Sequence, residues 1–211
     1  MKSYSAHNLD IKMLKYLNYE QGFFIECGAY DGIYQSNTFL YEKNLNWGGV
    51  LIESSKNRFI ECESNRLNSK VYNYCLTTPE KSESIIYGDF NGGLMSSVGG
   101  IRTNSNDLIP VETKTLTQIL DEYNSMYEIK NIDFFSLDVE GYEYEVLLGL
   151  DLKKWRPNFI LIEIMDINKE NIFNYLNNNG YDFIENLTNF NKIDNPNWDG
   201  THNDYLFKSK N

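Results

Sequence analysis

At 211 residues the chain is long enough to bury a substantial core without disulfide help, and one domain spanning residues 1–211 is the expectation. A net charge of -11, from 19 Lys and Arg against 30 Asp and Glu, argues against a nucleic-acid partner, because a phosphate backbone needs clustered cations. Cys27, Cys62 and Cys75 contain no C-x-x-C pair, so neither a disulfide framework nor a zinc knuckle is indicated. No stretch has the apolar length of a secretory leader or a bilayer span, and the reading is a cytosolic protein without a membrane partner.

Residues 1–20 read as a lead-in segment, with Leu9, Met13, Leu14 and Leu17 at helical spacing on a short helix packed on a sheet edge. Phe23 to Cys27 is an apolar run that closes on Glu26 and turns through Gly28-Ala29-Tyr30-Asp31-Gly32, a first strand and its ligand-binding turn. Asp31-Gly32 also reads as a plain surface turn. Ser36 is placed to cap a helix through about Glu42, and Val50 to Glu53 is a second apolar run ending in an acid. Strand, helix and strand in about thirty residues predict a right-handed parallel crossover. The rhythm repeats with a helix from Asn57 to Leu67 and a third strand from Val71 to Leu76. Residues 82–111 break it, with short apolar pieces between Gly92-Gly93 and Gly99-Gly100, and predict a hairpin or flap that covers a substrate.

A helix from Thr115 to Tyr123 leads into a fourth strand, Ile132 to Leu137, with Asp138-Val139-Glu140-Gly141 at its carboxyl end. Tyr142 to Leu150 is helical, Phe159 to Glu163 is a fifth strand, and Asn168 to Asn178 is a helix stopped by Gly180. Tyr181 to Ile184 and Asp204 to Lys208 leave little room between them for a crossover helix, so the final pair is antiparallel and places a reversed strand beside a mostly parallel sheet. Residues 185–203 then form a cap over the crevice.

In open α/β sheets the ligand crevice lies at the carboxyl ends of the strands. Glu26, Glu53, Asp138 and Glu163 all fall there. Carboxylates in place of phosphate-facing amides disfavour a dinucleotide and suit a zwitterion such as the amino-acid end of S-adenosylmethionine. Glu53, ending the second strand, is the expected clamp for ribose hydroxyls. Asp138, Glu140 and His202 are rival proton acceptors, and His202 also reads as a histidine satisfied by its own loop. Asp138 with Glu163 has the hard oxygen donors that a divalent metal such as magnesium prefers.

Taken together, Ile25 to Gly32, Leu51-Ile52-Glu53-Ser54 and Ser136-Leu137-Asp138-Val139-Glu140-Gly141-Tyr142-Glu143 resemble the FkbM family of S-adenosylmethionine-dependent methyltransferases. The resemblance runs from about Gly22 to Phe207. It implies an α/β, Rossmann-like class I methyltransferase fold with a mostly parallel sheet, one antiparallel strand near the C-terminus and helices on both faces. It also implies S-adenosylmethionine as cofactor, with Glu26, Gly28, Ala29 and Asp31 around the methionine part, Glu53 and Ser54 at the ribose, and Cys75 and Leu76 at the adenine. Ser136 joins the cofactor set where the family often has lysine, and Glu26 stands where aspartate is more frequent. Asp138 and Glu140 then face the acceptor or the cofactor's methyl end.

The activity implied is O-methylation of a sugar or related polyhydroxylated small molecule, a glycan or natural-product tailoring step, with Tyr30, Tyr34 and Trp198 as stacking platforms. The alternatives are a phosphorylated or phosphoramidate sugar as acceptor, a noncatalytic nucleotide-binding module, and an NAD-dependent oxidoreductase.

Overall fold

The computed structural model describes residues 1–194, 196 and 201–210. Its centre is a seven-stranded sheet built from β1 (Phe23–Cys27), β2 (Gly48–Ile52), β3 (Ser69–Tyr72), β7 (Phe134–Leu137), β8 (Phe159–Met165), β9 (Tyr181–Asn186) and β10 (His202–Ser209). The strand order is β3-β2-β1-β7-β8-β10-β9. The pairs among β3, β2, β1, β7 and β8 are parallel, while β10 runs antiparallel to both its neighbours. This is the predicted architecture. The order places the first strand in the middle of the sheet, so that β1, β2 and β7 end side by side.

Central strands buried on both faces need near-continuous apolar runs, and β1, β2, β7 and β8 supply them, interrupted only by Glu26, Ser136 and Glu163. On one face, Phe24, Leu51, Phe134 and Leu161 meet α1 (Leu9–Leu17), α2 (Phe39–Leu45) and α3 (Lys56–Asn65). On the other, Ile25, Val50, Phe135 and Ile160 meet α4 (Leu116–Met126), α5 (Glu143–Leu148) and α6 (Lys169–Asn178). The lead-in helix α1 therefore packs on the sheet face and not on its edge. Leu9, Met13 and Leu17, one turn apart, are all buried there, and a stripe that wide needs a flat apolar surface beneath it.

The third strand also departs from the sequence reading. Val71 to Leu76 is two strands, β3 in the main sheet and β4 (Cys75–Leu76) in a second, three-stranded sheet of order β4-β6-β5. The break lies at Asn73, whose Nδ2 donates to Glu53 O at 2.8 Å and Ser54 O at 2.9 Å. Those bonds satisfy the end of β2 and turn the chain out of the sheet.

The small sheet is completed by β5 (Ile85–Gly88) and β6 (Ile109–Lys114), paired antiparallel. Residues 89–108 form the flap between them. Thr115 then caps α4 in a reciprocal bond pair with Gln118. Ser36 does not begin α2, for which Thr38 is the cap, but its Oγ accepts from Thr38 N and Phe39 N in the turn before it. Among the described residues, no helix is long and apolar enough to cross a membrane.

Candidate active site

The ends of β1, β2 and β7 are tied into one knot. Gly28 N and Ala29 N both donate to Ile52 O at 3.1 Å, and Asp138 N donates to Cys27 O at 3.2 Å. Gly28 holds φ +80°, and a Cβ at that position would stand 1.8 Å from Asp138 O. Only glycine permits both the left-handed turn and that approach.

The knot opens into a cavity of about 320 Å³, within the range of small-molecule sites. Its floor comes from the strand ends, with Gly28, Ala29, Glu53, Ser54 and Asp138 in the lining. Cys75, Leu76 and Val146 form an apolar side, and Tyr30 and Tyr34 an aromatic one. Glu140 and Tyr142 stand beside Asp138. The flap supplies the remaining wall through Phe90, Leu94, Met95 and Val98.

Five residues assigned to the site from sequence lie outside this lining. Glu26 is buried beneath it, where Oε2 accepts from Thr38 Oγ1 at 2.6 Å and from Arg66 Nη1 at 3.2 Å, and Oε1 accepts from Asn37 N at 2.8 Å. Its bonding capacity goes to the turn before α2. Ser136 is buried alongside, accepting from Asn37 Nδ2. Asp31 closes its own turn, with Oδ1 accepting from Ile33 N and Tyr34 N. Glu163 stands behind Asp138 on the neighbouring strand. His202 begins β10, its Nε2 3.5 Å from Glu163 Oε1, and contacts that acid instead of the cavity.

No described residue of 185–203 lines the cavity. Lys12 Nζ donates to Leu187 O, and Phe190 packs edge-on against His7. The described part of this segment therefore packs against the N-terminal segment. Trp198 lies outside the described residues.

Burial governs the charges here. Glu53 is pushed up to about 7 by desolvation, against which Tyr30 N and Ser55 N donate to its two oxygens at 2.8 and 2.7 Å. Asp138 and Glu140 are also raised, by burial first and, for Glu140, by Asp138 next. Glu163 is raised furthest by burial and then by Asp138 and Glu140. One oxygen each of Asp138, Glu140 and Glu163 lies within 4.8 Å of the others, a spacing compatible with a cation.

Sequence reading weighed Arg58 and Arg102 only as cations that would offset the acids for a phosphorylated acceptor, and missed their contacts: Arg102 reaches from the flap to Glu140 Oε2 at 3.0 Å, and Arg58 Nε donates to Gly92 O while its guanidinium covers the Tyr30 ring at 4.2 Å. It also missed Tyr142, although this tyrosine belongs to the motif that signalled the site. Nothing local in the sequence marks either arginine, since both act across long separations.

No curated protein matches the chain in sequence. Among solved structures, fibrillarin from Aeropyrum pernix, described in complex with natively bound S-adenosyl-L-methionine, aligns at 10% identity with a TM-score of 0.51, over 90% of this chain and 67% of that one. Precorrin-6y C5,15-methyltransferase from Geobacter metallireducens aligns at 10% identity and 0.51, over 96% and 87%. Human methyltransferase 10 domain containing protein aligns at 12% identity and 0.50, over 95% and 81%. At these identities the likeness is one of fold. Residues 26–183, about three quarters of the chain, match the methyltransferase FkbM domain. The chain belongs to the FkbM family of S-adenosylmethionine-dependent methyltransferases.

Proposed function

We propose that the cavity binds S-adenosylmethionine with its ribose at Glu53, and that the methyl group passes to a hydroxyl of a sugar or related polyhydroxylated small molecule. The observation that carries this reading is the distribution of acids along one cavity: Glu53 at the end of β2, and Asp138 with Glu140 at the end of β7. The first suits a ribose diol. The second pair suits a hydroxyl that must give up its proton. The acceptor oxygen attacks the sulfonium methyl in line, the carbon–sulfur bond breaks, S-adenosylhomocysteine leaves, and the proton goes to Asp138 or Glu140.

Gly28 and Ala29 bring backbone close to the methionine part, and Cys75 and Leu76 offer an apolar wall for adenine. Glu26, Asp31 and Ser136 act on the cofactor through the turns they hold. Tyr30 and Tyr34 are the surfaces on which a sugar would stack. A phosphorylated acceptor is disfavoured because Asp138 and Glu140 would repel it, and Arg102 is already paired with Glu140. On this reading the partner is a small molecule or glycan in the cytosol, and His202 takes no proton directly from the acceptor.

The test is calorimetric titration of the purified protein with S-adenosylmethionine, S-adenosylhomocysteine and NAD, beside Glu53→Ala. Saturable binding of the first two, weakened by the substitution, is the expected result. Binding of NAD alone would overturn it in favour of an oxidoreductase. Binding of S-adenosylmethionine without methyl transfer to any of a panel of sugars and glycosides would leave a noncatalytic module.

A further inference from the structure

The acids behind the cavity wall outnumber what one proton transfer requires. Asp138 at the end of β7, Glu140 in the turn after it and Glu163 on β8 converge to within 4.8 Å of one another. Asp204, which pairs with Glu163 in the register of β10 on β8, adds a fourth acid, itself buried. Among the described residues, Arg102 lies on Glu140 at 3.0 Å, and the imidazole of His202, cationic only when protonated, stands 3.5 Å from Glu163. Like charges so placed repel.

A separate observation concerns Glu143, which is completely buried. Its Oε1 accepts from Val139 N at 3.1 Å and Gly141 N at 2.9 Å, the amides on either side of Glu140, while Oε2 is buried with no hydrogen-bond partner among the described residues. Burial first, and then the neighbouring Asp138, raise its carboxyl. The buried Oδ1 of Asp138 likewise has no hydrogen-bond partner among the described residues. Buried carboxylate oxygens are ordinarily paired, so the unpaired Asp138 Oδ1, inside the cluster, points to a missing positive group there.

We infer that Asp138, Glu140 and Glu163 form a divalent-cation site in the cavity wall, with Glu143 bracing the turn behind it. Oxygen-only donors select a hard ion such as Mg²⁺, Mn²⁺ or Ca²⁺. Oxygens on opposite sides of such an ion stand about 4–5 Å apart, so three donors within 4.8 Å of one another are close enough to share one. Asp138 and Glu163 extend from adjacent hydrogen-bonded strands, which fixes two of the three donors. In function, the ion would hold an acceptor hydroxyl and make it more acidic. That role rests on the methyl-transfer reading above, whereas binding of the ion does not.

The experiment uses the full chain, stripped with chelator and dialysed, titrated with MnCl₂ and followed by calorimetry and by the spin signal of unbound Mn²⁺. One Mn²⁺ per chain is expected, displaced by MgCl₂ or CaCl₂, and weakened at least about tenfold by Asp138→Asn and by Glu163→Gln. The exposed Glu80→Gln serves as a control that leaves binding unchanged. Should either site variant fail to fold, the unmodified protein still answers: bound Mn²⁺ should broaden the ring resonances of His202, beside Glu163, at lower occupancy than those of His7, the other histidine of the sequence. No binding up to millimolar Mn²⁺, binding that survives both substitutions, or broadening that spares His202 would each overturn the site. Titration of the stripped protein with S-adenosylhomocysteine separates this outcome from failure of the cofactor reading.

Discussion

Arg66 Nη1 lies 3.2 Å from Glu26 Oε2, with the two side chains 0% and 5% exposed. The same guanidinium donates to Glu42 Oε2 at 2.8 Å, Gly32 O at 3.0 Å and Thr38 Oγ1 at 2.8 Å. One arginine thus joins the end of α3 to β1, to α2 and to the glycine turn. Replacing it leaves two buried carboxylates without their cation. Arg66→Met should cost about 3–5 kcal/mol of stability, read as a lowered urea midpoint. Glu26→Gln should lower stability more than it lowers affinity for S-adenosylhomocysteine, the reverse of Glu53→Ala.

Gly28→Ala tests the strand-end knot. The added methyl meets Asp138 O at 1.8 Å, and the backbone sits at φ +80°. Strain of this kind costs on the order of 1–3 kcal/mol before the steric clash is counted. The expected result is a lower melting temperature together with loss of cofactor binding, measured on whatever fraction folds. Gly93→Ala, whose Cβ has its nearest contact at 3.7 Å, should change neither.

Glu53 supplies a pH dependence of definite sign. Its folded carboxyl titrates near 7 against an ordinary 4.5, so the folded chain keeps a proton that the unfolded chain releases between those values. Its stabilising contribution is complete below about 4.5 and is lost as pH rises to 7, by about 3 kcal/mol at most. Glu53→Gln should flatten that part of the stability profile. Cofactor binding has the opposite sign, because ribose hydroxyls donate to the ionised carboxylate. Affinity for S-adenosylhomocysteine should fall as pH drops below 7, approaching tenfold per unit, with a proton released on binding.

Arg102 connects the flap to the motif. The flap is itself gathered at Asp89, which accepts from Ser97 N at 2.6 Å and from Thr103 Oγ1, while Arg102 N donates to Ser97 Oγ at 3.1 Å. Arg102→Gln should release the flap from Glu140 and speed dissociation of S-adenosylhomocysteine by about three- to thirtyfold, the effect of about 0.7–2 kcal/mol. Thermal stability should change little, since the main sheet is untouched. Stopped-flow dissociation measures the first and a melting curve the second.

Much of the fold was legible because it rests on local periodicity. Apolar runs such as Phe23 to Cys27 and Phe159 to Glu163 identify buried parallel strands, and the lack of a helical pattern between Ile184 and Asp204 marks the antiparallel final pair. Glu53, Asp138 and Glu140 were legible for the same reason, as acids where such runs end. Features that depend on reach were not. Glu26 occupies the position of a ligand acid, yet Arg66, forty residues away, claims it. The split of Val71 to Leu76 depends on the side chain of Asn73 bonding to the end of another strand. Glu143 looks like an exposed helix-start acid in sequence and is buried in the fold.

The pairing of β4 with β6 has a wider consequence. Cys75 and Leu76, which face the cavity, are bonded in register to Thr113 and Lys114, and β6 in turn carries β5. The flap therefore springs from a small platform attached to the cavity wall, and residues 89–108 borrow no rung from the central sheet. Such a segment behaves as an exchangeable cassette. Its length and sequence can drift between relatives while the cofactor machinery persists, and a transplanted 89–108 segment should carry acceptor preference with it and leave the cofactor's affinity largely behind.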